Sequence, residues 1–307
     1  MATEFKYAYI RKQVCLLKDA SIPIQSKAVQ YGLGVFTGIR GNWNPKTKNL
    51  YLFRLEDHYE RLKEASNITG LHFDHTYQSF KKIITDLIKK NQAKEDIYLR
   101  ITLYAGSTQI TPRFDNEDDD MAVYMISLKD YFHTDEGLNV CISSWRRIDD
   151  DAISTKAKIT GSYSNSALAK TEAIRNGYDE ALFLNRDGKI CEATGANIFG
   201  IKKGIVFTPP LSANNLNGIT RRSILELFKK EMKLEIREEE IDRSTLYIFD
   251  ELFLTGTAAR IAWIKSVDKK TIGNGEKGPI AAKIQTLFKD VTSGKNKKYQ
   301  KWLTKIF

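Results

Sequence analysis

Two stretches in the first half of the chain repeat apolar residues at helical spacing. Leu55, His58/Tyr59, Leu62 and Ala65 fall on one face, and Phe80, Ile83, Ile84, Leu87 and Ile88 on another, so both helices are expected to lie against a sheet. Strand-like runs surround them at 5–11, 14–17, 36–41, 50–53, 97–104 and 121–128, with Gly, Asn or Asp between most of them. Together these predict an α+β module over residues 1–130.

The alternation in 97–104 is strict. Ile97, Leu99, Ile101 and Leu103 face one way and Tyr98, Arg100, Thr102 and Tyr104 the other, so the polar face either lines a cleft or meets solvent. The acidic stretch 114–120, FDNEDDD, reads as a solvated turn. After a polar connector at 131–137 come short, closely spaced strands at 138–143, 181–184, 190–193, 197–201 and 205–207. Turns at Asp187-Gly188 and 202–204 predict a meander of hairpins. Helices are expected at 164–176, at 219–230, and from Pro279 to just before Gly294. The second domain is therefore placed at 138–307, with no internal repeat.

The length of 307 residues fits one large or two ordinary domains at roughly 150 residues each. With 42% hydrophobic residues, six Pro and 19 Gly, collagen-like, low-complexity and disordered classes are excluded. The balance of 48 Lys+Arg against 38 Asp+Glu gives +10, but the lysines are scattered along helices without a nucleic-acid signature. In the densest cluster, 295–305, they alternate with Tyr299, Trp302 and Leu303, so one side is expected to pack and no nucleic-acid partner is expected. The longest apolar run, 121–126, is far short of the roughly 20 residues of a membrane span, and the opening residues carry no apolar signal core. A cytoplasmic protein without a membrane partner is expected. Cys15, Cys141 and Cys191 fit neither a disulfide framework nor a zinc knuckle and read as reduced thiols.

The usual nucleotide, zinc-protease and serine-hydrolase motifs are missing. His72-Phe73-Asp74-His75 has metal-ligating residue types but lies between two helices without a distant third ligand, so a loop and no metal is expected. Two segments look like anion cradles: Leu216-Asn217-Gly218-Ile219-Thr220 leads into a helix, and 253–259, FLTGTAA, ends a strand in small residues. Open N–H groups at a helix start attract phosphate or carboxylate, although Gly and Thr also mark ordinary helix starts. Periodicity singles out no catalytic lysine.

Residues 28–41, AVQYGLGVFTGIRG, resemble the opening motif of branched-chain amino-acid aminotransferases, members of the fold-type IV pyridoxal-phosphate enzymes. Further resemblances follow in the family's order: 58–62 HYERL, 98–100 YLR, 158–163 KITGSY, 191–199 CEATGANIF, 216–221 LNGITR, 256–258 GTA, and a tail from Ile272-Gly273 to Trp302-Leu303. The resemblance covers nearly the whole chain. It implies an α+β, two-domain fold: a small α/β sandwich domain and a larger domain with a barrel-like sheet and flanking helices.

It further implies pyridoxal 5'-phosphate as cofactor, bound covalently by Lys158, which would also carry the proton between substrate and cofactor. Tyr163 would hydrogen-bond the cofactor's phenolate oxygen and Glu192 its pyridine nitrogen, a use that suits a carboxylate set among Ile190, Cys191 and Ala193. Arg61 would bind the 5'-phosphate, joined by Leu216, Ile219, Thr220 and Thr257. The substrate carboxylate would meet Thr257, Ala258 and Tyr98, with Arg40 nearby, while Tyr31, Phe36 and Arg100 would line the side-chain pocket. The implied reaction moves the amino group of Leu, Ile or Val to 2-oxoglutarate by ping-pong half-reactions in a homodimer or higher homo-oligomer.

The chain departs from the family pattern in three places. Cys191-Glu192-Ala193 replaces Ser-Glu-Gly, Asn217 replaces a Pro before Gly218, and 104–112, YAGSTQITP, replaces a glycine-rich turn in a loop that reaches the substrate pocket. The alternatives of the same fold type are D-amino-acid transamination and aminodeoxychorismate lysis; Gly38-Ile39-Arg40 and Tyr98-x-Arg100 favour the L-branched-chain reaction. A non-catalytic binding protein is a further alternative, against which the joint presence of Lys158, Tyr163, Glu192 and Arg61 counts.

Overall fold

The computed structural model describes residues 5–114, 117–128, 131–132 and 136–307, so parts of the acidic stretch and of the connector lie outside the described residues. The first elements are β1 (Tyr7–Ile10), β2 (Gln13–Leu16), α1 (Lys27–Tyr31), β3 (Gly34–Asn44), β4 (Asn49–Phe53), α2 (Leu55–Thr69), α3 (Tyr77–Lys90), β5 (Ile97–Tyr104) and β6 (Asp120–Ser127). Then come β7 (Leu138–Ile142), α4 (Tyr163–Arg175), β8 (Glu180–Leu184), β9 (Ile190–Ala193), β10 (Asn197–Lys202), β11 (Ile205–Thr208) and α5 (Ile219–Leu227). The last are β12 (Ile236–Glu238), β13 (Glu251–Gly256), β14 (Arg260–Val267), β15 (Lys270–Thr271), α6 (Pro279–Thr292) and β16 (Leu303–Lys305).

The chain forms two units. One is Met1–Lys129 with Ala157–Gly161 and Asp290–Phe307; the other is Asp130–Lys156 with Ser162–Lys289. Residues 157–161 and 290–307, which follow the change of unit near residue 130, return to the first unit. Ile159 bridges to Val35, and β16 pairs with β4, so both segments belong to the first sheet. Neither carries a local signal of this: one is a single bridge, the other three residues long.

The first unit is an antiparallel sheet in the order β16-β4-β3-β5-β6-β1-β2. The helical stripes of α2 and α3 bury Leu55, Leu62, Phe80, Ile84 and Leu87 against Val35 and Ile39 of β3 and Ile97, Leu99, Ile101 and Leu103 of β5. The alternation of β5 thus sets one face into the core and leaves Tyr98, Arg100 and Thr102 half-buried on the other. Tyr104 departs from it. Its ring is buried and its hydroxyl donates to Asp120 at 3.2 Å. Tyr299 and Trp302 are buried, as the alternation of the basic tail predicts, and Trp302 carries the Arg54 guanidinium at 3.7 Å.

The second unit holds a nine-stranded sheet, β12-β11-β10-β13-β14-β7-β8-β9 with β15 on β14, curled into a half-barrel. The predicted meander is corrected here. β8–β9 and β10–β11 are hairpins, but β13 and β14 stand between β10 and β7, and β7 runs parallel to β8. A parallel pair needs a crossover, which α4 provides, and turn residues report only the hairpin they close. β14, almost wholly buried, and the short β12 fall in segments where no strand is expected from the sequence. The helix expected at 219–230 ends as α5 at Leu227 and runs on as a π-turn, Phe228–Met232.

Candidate active site

In the first unit, β3 alternates across the sheet. Val35, Thr37 and Ile39 face the helices, which leaves Phe36, Gly38 and Arg40 on the opposite face. β5 pairs in register with Gly38 opposite Arg100 and Arg40 opposite Tyr98, so these side chains share that face. The Arg100 guanidinium lies 4.3 Å from the Phe36 ring centre and 5.6 Å from that of Tyr98. Tyr98 lies over Gly38, where any Cβ would overlap its phenol. Arg40 is buried and donates from Nη2 to the Leu128 carbonyl at 2.7 Å.

Lys158 reaches the same face. Its carbonyl accepts from Phe36 N at 2.9 Å, Thr160 N donates to Gly34 O at 2.8 Å, and Gly161 N to Gly32 O at 3.0 Å. The segment lies along the start of β3 because both turns are glycines. Gly32 has φ +68°, and a Cβ on it would stand 2.9 Å from Gly161 Cα. The Lys158 ammonium then lies 5.0 Å from the Phe36 ring centre.

Tyr31 stands apart from this group. It is exposed at the end of α1, and its hydroxyl donates to the Ile110 carbonyl, so the segment 104–112 that departs from the family pattern holds it. Arg61 belongs to the helix-covered face: α2 buries it, and its Nη2 donates to Thr37 Oγ1 at 2.9 Å.

In the second unit, Glu192 is buried on β9. Its Oε1 lies 3.0 Å from Arg147 Nε, while its Oε2 accepts from Asn197 Nδ2 at 3.2 Å and from Leu216 N at 3.1 Å. Asn197 Nδ2 also donates to Leu216 O at 2.9 Å, and Asn197 pairs with Thr255 in the sheet. Asn197 therefore ties both suspected anion cradles to Glu192. Gly218 caps α5 without a side-chain hydrogen bond, leaving the helix start at Ile219 and Thr220 open to a negative charge. Thr257 and Ala258 form the turn between β13 and β14, and Tyr163 is the first residue of α4. Arg147, Asn197, Thr37 and His58 have no role assigned to them from sequence. Asn197 and Thr37 sit inside recognisable motifs, but Arg147 meets Glu192 only through the fold.

Among the described residues no group of His, Cys, Asp or Glu could hold a metal, and no helix is long and apolar enough to cross a membrane. His75 instead bonds Ser79 Oγ at 3.1 Å, and burial lowers its proton affinity.

The family model for amino-transferase class IV matches residues 34–267. A probable branched-chain-amino-acid aminotransferase of Aquifex aeolicus is 38% identical over 98% of this chain and 97% of its own length. A branched-chain aminotransferase of Thermoproteus uzoniensis, solved with norvaline, superposes with a TM-score of 0.93 at 35% identity, covering 100% of both chains. The branched-chain amino acid aminotransferase of Thermobaculum terrenum, solved in its PLP form, superposes with a TM-score of 0.94 at 32% identity, covering 99% of both. With its fold of type IV, this chain belongs to the amino-transferase class IV family.

Proposed function

We propose that this protein transfers the amino group of L-leucine, L-isoleucine or L-valine to 2-oxoglutarate in two ping-pong half-reactions, with pyridoxal 5'-phosphate carried by Lys158. The observation that carries this reading is the pair of cations over one ring: the Lys158 ammonium and the Arg100 guanidinium both address Phe36. In this reading a proton-carrying amine stands beside a surface that is apolar at Phe36 and cationic at Arg100. Such a surface accepts a branched side chain on the ring and the γ-carboxylate of glutamate on the guanidinium.

The residues also fit the cofactor. Glu192, buried and held by Arg147, Asn197 and Leu216, is a fixed carboxylate for a pyridine nitrogen, and the open start of α5 suits a phosphate. Pyridoxal phosphate, when bound, supplies an aldehyde for the amino group and a ring that takes up charge from the substrate α-carbon. Glu192 keeps that ring nitrogen protonated, and Tyr163 donates to its phenolate oxygen. Arg61, Thr257 and the Leu216, Ile219 and Thr220 backbone hold the phosphate, while Lys158 Nζ moves the proton off the α-carbon. Arg40, Tyr98, Thr257 and Ala258 orient the substrate carboxylate, and Tyr31 with Phe36 and Arg100 bounds the side chain. The same reading takes the protein to work as a homodimer in the cytoplasm.

The test is spectroscopic. The purified protein, loaded with cofactor, is given L-leucine or D-alanine without any oxo acid. Conversion of the yellow band to the pyridoxamine form by L-leucine alone is expected. Conversion by D-alanine alone would move the activity to D-amino acids, and absence of a band would end the cofactor reading.

A further inference from the structure

In the second unit, three residues close a ring of hydrogen bonds. Asn197 Nδ2 donates to Glu192 Oε2 at 3.2 Å and to Leu216 O at 2.9 Å, and Leu216 N donates to the same Glu192 oxygen at 3.1 Å. Asn197 is 5% exposed and Glu192 6%, so little water competes for these bonds. The donor inventory fixes which way the amide lies. Turned over, it would set three acceptor oxygens together with no proton between them. Both amide hydrogens are therefore spent, one on the carboxylate and one on the turn that leads into α5.

The other end of the same carboxamide accounts for Gly218. This residue has φ −65° and ψ 133°, an ordinary β-region geometry, so conformation does not demand a glycine. Space does, because a Cβ there would overlap Asn197 Oδ1. α5 begins at the next residue, Ile219. One planar group thus meets the Glu192 carboxylate on one side and the last three residues before the helix on the other.

We infer that Asn197 is a positioning residue that sets the spacing between the Glu192 carboxylate and the start of α5, and so matches the two ends of one ligand, the ring nitrogen and the phosphate of the cofactor. This rests on the reading that Glu192 takes the nitrogen and the α5 start the phosphate. It adds a residue whose action is on the distance between them, with Gly218 as its counterpart.

A spacing matters only to a ligand that spans it. Apoprotein is titrated with pyridoxal phosphate, with pyridoxal, and with inorganic phosphate as a competitor, following the bound chromophore. Asn197→Ala is expected to weaken pyridoxal phosphate by about 10- to 100-fold, the range of a hydrogen bond to a charged group, and each half by less than about 3-fold. Equal losses for all three, or none for pyridoxal phosphate, would overturn the spacing role, because a merely structural residue does not distinguish linked from unlinked halves. Gly218→Ala, which the backbone allows, is expected to push the carboxamide aside and to match Asn197→Ala. The double variant is expected to be no worse than either single one, since both act through one group, and losses that multiply would refute this. Glu192→Gln is the control, expected to weaken pyridoxal and pyridoxal phosphate alike. If it weakens neither, the nitrogen role of Glu192 fails and the spacing with it; if it weakens both while Asn197→Ala spares pyridoxal phosphate, the spacing alone fails. Should Asn197→Ala not fold, Asn197→Asp at pH 8 keeps the shape without the two donors and is expected to show the same selective loss; binding as in the unaltered protein would be the overturning result.

Discussion

Arg147 Nε stands 3.0 Å from Glu192 Oε1, in a pair whose side chains are only 10% and 8% exposed. That nitrogen has no aligned hydrogen-bond acceptor, so the contact is an attraction of charges more than a hydrogen bond. The carboxylate is buried, and it keeps Asn197 and Leu216 N when the arginine is lost. Arg147→Met is expected to cost about 3 kcal/mol, the scale of breaking a buried ion pair from one side. Urea unfolding of Arg147→Met, Glu192→Gln and the double variant measures the coupling, and a value under about 0.5 kcal/mol would remove the pair from the support of this fold.

Arg100 is the one cation over Phe36 that the proposed reaction does not need for proton transfer. Arg100→Ala is expected to slow the half-reaction with L-glutamate by about 10- to 100-fold, the value of a charge-assisted hydrogen bond, and that with L-leucine by less than about 3-fold. Stopped-flow spectra with each amino acid give the ratio. An equal loss for both would undo this account of dual recognition.

The turn just before Lys158 is tied by Asp150, whose carboxylate accepts from Ser154 Oγ, Thr155 N, Thr155 Oγ1 and Lys156 Nζ. Burial works to raise its pKa, but the bonds from Lys156, Thr155 and Ser154 outweigh it and hold the carboxyl at about 2. A depressed folded value contributes stability above the ordinary value of about 3.9, and that stability is lost as pH falls through the folded value. Full linkage gives about 2.5 kcal/mol, which the 37% exposure of the side chain reduces to about 1. Asp150→Asn is thus expected to be about 1 kcal/mol less stable at pH 7, with the gap roughly halved near pH 3. Denaturant melts at the two pH values check it, and a gap that grows on acidification would contradict it.

The three thiols should differ in reactivity. Burial pushes Cys141 up to about 11 and Cys191 well above the ordinary thiol range, while Cys15 is half-buried. At pH 8 iodoacetamide is expected to modify Cys15 first, and the other two only in denaturant, because the thiolate is the nucleophile. Peptide mass spectrometry over a time course reads this directly. Native labelling of Cys191 as fast as Cys15 would be inconsistent with its burial.

What the sequence discloses here depends on the range of the interaction. The stripes of α2 and α3 and the alternation of β5 repeat within a few residues, and the core is built on them as expected. The Tyr98 and Arg100 face is likewise legible from period, and the register that sets Gly38 beneath Tyr98 explains why a glycine stands there. β14 and β16 are not legible, since the first reads as an irregular apolar run and the second takes its strand character from β4. Arg147 with Glu192 and Thr37 with His58 are pairs made by folding, and no local pattern announces them.

The first sheet is completed by strands that come late in the chain. β16 covers the edge of β4, and the Lys158 segment covers the adjoining stretch at the start of β3. On the ribosome, at about 5–20 residues per second, the start of β3 stays bare until the Lys158 segment has been made, and the edge of β4 from the emergence of Phe53 until Leu303 has been made. Open edges are templates for wrong pairing. The N-terminal half therefore cannot mature as it emerges, and a chain halted early presents an unfinished, adhesive sheet to whatever meets it.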